Sequence, residues 1–78
     1  MTVTITKPDG TVYDGDARLV QLPGVGGIFE ILENHAPIFS ALVKGRIRLI
    51  DGSDQEHSFI IRGGVVKCQK NTINILIQ

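Results

Sequence analysis

Apolar and polar residues alternate in short runs along most of this chain. Val3 and Ile5 fall on one side of the run 2–6, and Thr2, Thr4 and Thr6 on the other. Ile47 and Leu49 oppose Arg46 and Arg48, and Ile73, Ile75 and Ile77 oppose Thr72, Asn74 and Gln78. A period of two is the signature of a strand, because successive side chains point to opposite faces. Polar residues on one side only mean sheets with one buried face. The runs TVTIT, TVYD, DARLVQL, IFEIL, IFSALV, RIRLI, EHSFIIR, VVKCQ and TINILIQ are separated by turn residues about every 8–12 positions. That rhythm predicts an all-β fold of antiparallel sheets, a sandwich or a barrel. The nine glycines and three prolines fall in turns or at strand ends. β-Branched residues dominate and no long 3.6-residue stripe appears, so helix is hard to place.

Length sharpens the picture. A chain of 78 residues is one small domain, read here as spanning 1–78. A domain of that size buries only about 60% of its unfolded surface, so it leans on a well-made core or on partners. Cys68 is the only cysteine, which excludes an internal disulfide. Cys68, His35 and His57 lack metal-ligand spacing, so no metal site is expected. Eight basic and eight acidic residues balance. The aromatics Tyr13, Phe29, Phe39 and Phe59 do not sit among the basic residues, which argues against a nucleic-acid partner. No export signal or membrane span is visible, and the lone thiol fits the cytoplasm.

The candidate chemistry sits in LPGVGGIFEILENHAPIFSAL, residues 22–42. Its glycines read G-x-G-x-x-F. A dinucleotide fingerprint needs a third glycine and a helix behind it, and Pro37 leaves no room for one. No Gly-Lys-Ser/Thr follows, so this is not a phosphate loop either. A wide hairpin turn that uses glycine for positive φ explains the cluster. His35, with Ser40 five residues on, is a bare candidate for a small hydrolase. A base still needs an orienting partner and a nucleophile, and nothing in the spacing supplies them. His57 and Ser58 point to opposite faces of a strand and form no local pair. Cys68 alternates with Val66 as a core residue, and Lys44, Arg46 and Arg48 read as a solvated strand face. Lipoyl-type and biotinyl-type carrier domains share the size and class, but Lys44, Lys67 and Lys70 lack the flanking residues of a modified lysine. No catalytic residue and no cofactor site are expected.

The order of motifs resembles the N-terminal β-sandwich domain of the epsilon subunit of the rotary, proton-translocating ATP synthase. The residues that carry the likeness are TKPDGTVYDGDA (6–17), VQLPGVGGIFEIL (20–32), NHAPIFSALVKGRIRL (34–49) and FIIRGGVVKCQKNTINIL (59–76). The resemblance implies about ten short strands in two sheets. It implies a non-catalytic rotor subunit of the bacterial central stalk, linking the gamma subunit to the loops of the c-ring so that ion-driven rotation is coupled to ATP synthesis. The protein would lie at the cytoplasmic face of the cell membrane, attached only through the complex. Carried over by residue, Gly26, Gly27 and Ile28 would lie on the c-ring side, and His35, Ala36, Pro37 and Ser40 on the gamma side. The family usually has an acidic residue where Ile28 stands, and glycine where Glu30 and Asn34 stand. Most members continue into a two-helix C-terminal domain that can bind ATP or block rotation. These 78 residues match the sandwich alone, and no such role is carried over to them.

Overall fold

A computed structural model describes all of residues 1–78. It contains eight strands and no helix: β1 (Thr2–Lys7), β2 (Gly10–Gly24), β3 (Gly27–Leu32), β4 (Ile38–Leu42), β5 (Gly45–Asp51), β6 (Glu56–Ile61), β7 (Gly64–Gln69) and β8 (Thr72–Ile77). The alternation read from the sequence is the alternation of burial. Val3, Ile5, Ile47, Leu49, Ile73, Ile75 and Ile77 all enter one core of sixteen buried side chains, which also takes in Cys68. No buried side-chain nitrogen or oxygen lacks a hydrogen-bond partner.

The nine runs of the sequence become eight strands, fewer than the ten or so implied by the resemblance, because β2 is one strand where the sequence shows two runs. Its fifteen residues would span roughly 50 Å if straight, against a longest molecular dimension of 27 Å. It therefore bends. Residues 10–16 pair with β1, while residues 17–24 pair with β3 and β5. The bend falls at Gly15–Ala17, where the Tyr13 hydroxyl donates to the Asp16 carbonyl at 2.9 Å and the Ala17 N–H donates to the Met1 carbonyl at 2.8 Å. Gly15 marks a fold in a strand, where the sequence reading placed a turn between two.

The bend carries the chain from one layer to the other. One layer runs β4-β7-β8-β1 into the first half of β2; the second runs β3, the last half of β2, β5 and β6. A contact of Gly24 with Leu42 links the layers again at the far end of β2. The period-two pattern predicts antiparallel pairing throughout, but β1 and β8 run parallel, Val3 opposite Ile73 and Ile5 opposite Ile75. Both strands are buried on one side and lie next to each other, so the first and last strands of the chain close the layer.

The strand directions define two ends. At one, here the Gly26 end, lie the β1–β2 and β2–β3 hairpins and the β4–β5 and β6–β7 connections. At the other, the His35 end, lie Met1, the β2 bend, residues 33–37, the β5–β6 connection and the β7–β8 hairpin.

Candidate docking surfaces

The β2–β3 hairpin is tighter than a wide turn. Gly24 pairs with Gly27, so only Val25 and Gly26 form the loop. Gly27 takes a φ of 127°, which favours glycine. A Cβ on Gly24 would stand 2.7 Å from the Phe29 ring and 2.9 Å from the Gly27 carbonyl. These glycines are there so that the backbone can close on itself. Pro23 and Gly24 belong to β2, and no amide cluster aimed at a ligand is needed to explain the motif. The result is an exposed tip made of Val25, Gly26, Gly27 and Ile28.

His35, Ala36 and Pro37 lie at the opposite end, also exposed. β3, roughly 17 Å long, separates them from Ile28. The loop is held from below. The Asn34 N–H donates to Asn71 Oδ1 at 2.8 Å, and Asn71 Nδ2 donates to Glu33 Oε2 at 2.9 Å. Asn34 adopts a φ of 61°, which asparagine tolerates where a family glycine would be strain-free. The Met1 ammonium donates to both Glu33 and Asp16. Burial pulls the pKa of that amine down, and the hydrogen bonds to Glu33 and Asp16 more than offset it, so it is raised overall. The same bond, with that from Asn71, lowers the pKa of Glu33.

Ser40 shares the half-buried side of β4 with Ile38 and Leu42, whereas Phe39 and Ala41 face solvent. The sequence reading named Ser40 and passed over Phe39, which is 73% exposed. The alternation of β4 against its buried Leu42 was the signal that could have found it.

His35 and Ser40 are not brought together as base and nucleophile. His35 Nδ1 lies 2.7 Å from the Ala36 carbonyl, and Ser40 Oγ donates to the Ala41 carbonyl at 3.1 Å. The partner of His57 is Asp51, with Nε2 to Oδ2 at 2.8 Å, a pairing across the β5–β6 hairpin that the sequence reading did not find. Asp51 also accepts the Ser53 and Gln55 N–H groups. The His57 hydrogen bond, then that of Gln55, holds the Asp51 carboxyl below its ordinary range. Tyr13 stands edge-on to His57, ring centroids 5.2 Å apart. The group ties down a turn.

The largest depression, about 440 Å³, lies between Arg62–Val65 and Leu76–Gln78 and is open to solvent. No cluster of three or more His, Cys, Asp or Glu side chains is arranged to hold a metal ion.

Residues 1–78, the whole of the folded chain, match the family described as ATP synthase, Delta/Epsilon chain, beta-sandwich domain. The chain belongs to that family. The epsilon chain of Chlorobaculum tepidum is 32% identical over 77 residues, covering 99% of this chain and 88% of that one. The epsilon chain of Acidithiobacillus ferridurans is 34% identical over 74 residues, covering 95% of this chain and 52% of that one. The chain thus spans about half the length of several of the epsilon relatives it matches. Its fold is that of a chain in the cryo-EM structure of the Tetrahymena thermophila mitochondrial ATP synthase central stalk and c-ring. That likeness has a TM-score of 0.81 at 19% identity, covering 100% of this chain and 63% of that chain. For an epsilon-family sandwich, the exposed Val25–Ile28 tip and the exposed His35–Pro37 loop are the two stretches to weigh as docking surfaces.

Proposed function

We propose that the chain is a non-catalytic rotor subunit that ties the gamma subunit to the c-ring of an ATP synthase, at the cytoplasmic face of the membrane. Family membership supports the complex. The observation that carries the bridging role is the separation of two exposed stretches on one small, tightly hydrogen-bonded body. Gly26, Gly27 and Ile28 would meet the ring loops; His35, Ala36 and Pro37 would meet gamma, together with the Ser40 strand. A rotor link has to transmit torque, and a doubly layered sheet packed on an apolar core deforms little. A small domain held between two partners also gains stability by mass action. Purified chain should co-purify with gamma, and membranes stripped of it should lose coupled synthesis until it is added back. No binding to gamma, together with full coupling in its absence, would sink the reading.

One observation bears on the carrier alternative. Lys70 and Asn71 form a two-residue hairpin turn, both with positive φ (51° and 61°), so Lys70 is presented at a tip. Asn71 is committed to Glu33 and Asn34, and Gln69 and Asn71 are not the flanks of a modified lysine. Intact mass after co-expression with a lipoyl or biotinyl ligase should show no added group; added mass on Lys70 would favour the carrier.

A further inference from the structure

The loop given to gamma is fixed by a residue far away in sequence. Leu32 to His35 form a turn, closed by the His35 N–H on the Leu32 carbonyl at 3.2 Å, with Asn34 at a φ of 61°. Between that turn and β4, no hydrogen bond ties Ala36 or Pro37 to another element. The path of His35, Ala36 and Pro37 is therefore set by how Glu33 and Asn34 are held.

One side chain holds both. Asn71, 37 positions on from Asn34, accepts the Asn34 N–H on Oδ1 at 2.8 Å. Its Nδ2 donates to Glu33 Oε2 at 2.9 Å. The other Glu33 oxygen is taken by the Met1 ammonium, and the Asn71 carbonyl accepts the Thr2 N–H at 3.1 Å. A single residue at the β7–β8 tip thus joins the loop to the tip and to β1. The backbone marks the same place. Three of the four non-glycine residues with positive φ, Asn34, Lys70 and Asn71, lie in these two facing turns. Strain of this kind collects where a structure is put to use. Glycine suits the second position of such a two-residue hairpin turn best. Asn71 stands there instead, and a glycine would supply neither the acceptor for Asn34 nor the donor for Glu33.

We propose that Asn71 is a positioning residue for the gamma contact, holding Glu33 and Asn34 so that His35, Ala36 and Pro37 meet gamma already in their bound shape. It acts through the loop. A segment ordered beforehand loses less conformational freedom on binding, and the difference is gained in affinity. The inference rests on the rotor reading and names what makes the gamma-facing loop ready to dock.

Glycine substitutions separate this role from a merely structural one. Asn71→Gly removes both side-chain bonds and relieves the positive φ, so the chain should stay folded, with an unchanged circular dichroism spectrum. The Asn34 amide should lose protection from hydrogen exchange, and titration should show gamma affinity falling about tenfold. Lys70→Gly relieves the neighbouring positive φ and leaves the clasp intact, so gamma affinity should hold. Asn71→Asp keeps the acceptor for the Asn34 N–H but sets a carboxylate against Glu33, and it should also weaken binding. Adding Glu33→Gln gives that carboxylate a donor again and should restore most of the affinity. A change at Glu33 cannot restore a direct contact between Asn71 and gamma. If Asn71→Gly unfolds, the Asn71→Asp pair decides alone. Parent-like gamma binding by Asn71→Gly, an equal loss with Lys70→Gly, or no recovery in the double variant overturns the proposal and leaves the rotor reading standing. If the unaltered chain fails to bind gamma, both fall.

Discussion

Gly64 faces the backbone of β8 so closely that a methyl group on it would stand 2.2 Å from the Leu76 carbonyl oxygen. No side chain can occupy that position without moving a strand. Gly64→Ala should therefore destabilise the fold by about 2–3 kcal/mol through overpacking. At Gly63 the nearest atom to such a methyl, the Leu42 carbonyl oxygen, is 3.4 Å away, and Gly63→Ala should cost clearly less. Urea unfolding of the two variants side by side is the measurement; equal losses would mean that the contact is not what holds the position.

Ile75 and Ile60 separate the two sides of the sheets. Ile75 is fully buried and Ile60 is 73% exposed. Ile75→Ala should lose about 3 kcal/mol, the transfer term plus a cavity. Ile60→Ala should stay within about 0.5 kcal/mol of the parent. The same unfolding curves give both values.

Acid should loosen the His35 end first. Asp51 and Glu33 have pKa values below their ordinary 3.8 and 4.5, because both carboxylates accept hydrogen bonds in the folded state. A lowered folded pKa means that the unfolded chain takes up protons more readily. The stability these groups add is thus complete above the ordinary values and is lost as pH falls through the lower, folded ones. Glu33→Gln and Asp51→Asn should each flatten the fall of the thermal midpoint below about pH 4. A fall as steep in both variants would move its origin elsewhere.

Cys68 is 2% exposed, and burial pushes its thiol pKa up. It should react with a thiol reagent at neutral pH only after the fold opens. Labelling should be slow in buffer and fast in denaturant, with the midpoint of the change matching unfolding. Rapid labelling of the native chain would contradict the packing of β7.

Docking along the exposed side of β4 predicts that Phe39→Ala weakens gamma binding more than Ser40→Ala. Aromatic anchors typically cost 2 kcal/mol or more when truncated, roughly thirtyfold in affinity. Titration of labelled gamma with each variant decides it, and the reverse ranking would put gamma on another face.

Much of this architecture could be read before any coordinates. Val3, Ile5, Ile47, Leu49, Ile73 and Ile75 were legible as core because period-two patterning is local. The β7–β8 turn at Lys70–Asn71 was legible for the same reason. The bend in β2 was not, because Gly15 looks the same whether it ends a strand or folds one; the Tyr13 hydroxyl on the Asp16 carbonyl distinguishes the two. The parallel pairing of β1 with β8 and the bond from His57 to Asp51 depend on where separate strands land. Phe39 stayed hidden because the likeness to the family runs through polar Ser40, though it is the apolar neighbour that faces outward.

The pairing of β1 with β8 also sets a schedule for the newborn chain. Of these eight strands β1 leaves the ribosome before the others, and its parallel neighbour spans Thr72–Ile77. Until those residues emerge, β1 can lean only on the first half of β2, and one edge of β7 lacks its partner as well. The sandwich cannot finish closing during most of its own synthesis. Such long-range pairing slows folding and leaves strand edges open to other chains. Stalled fragments that stop before Thr72 should be sensitive to protease along their whole length.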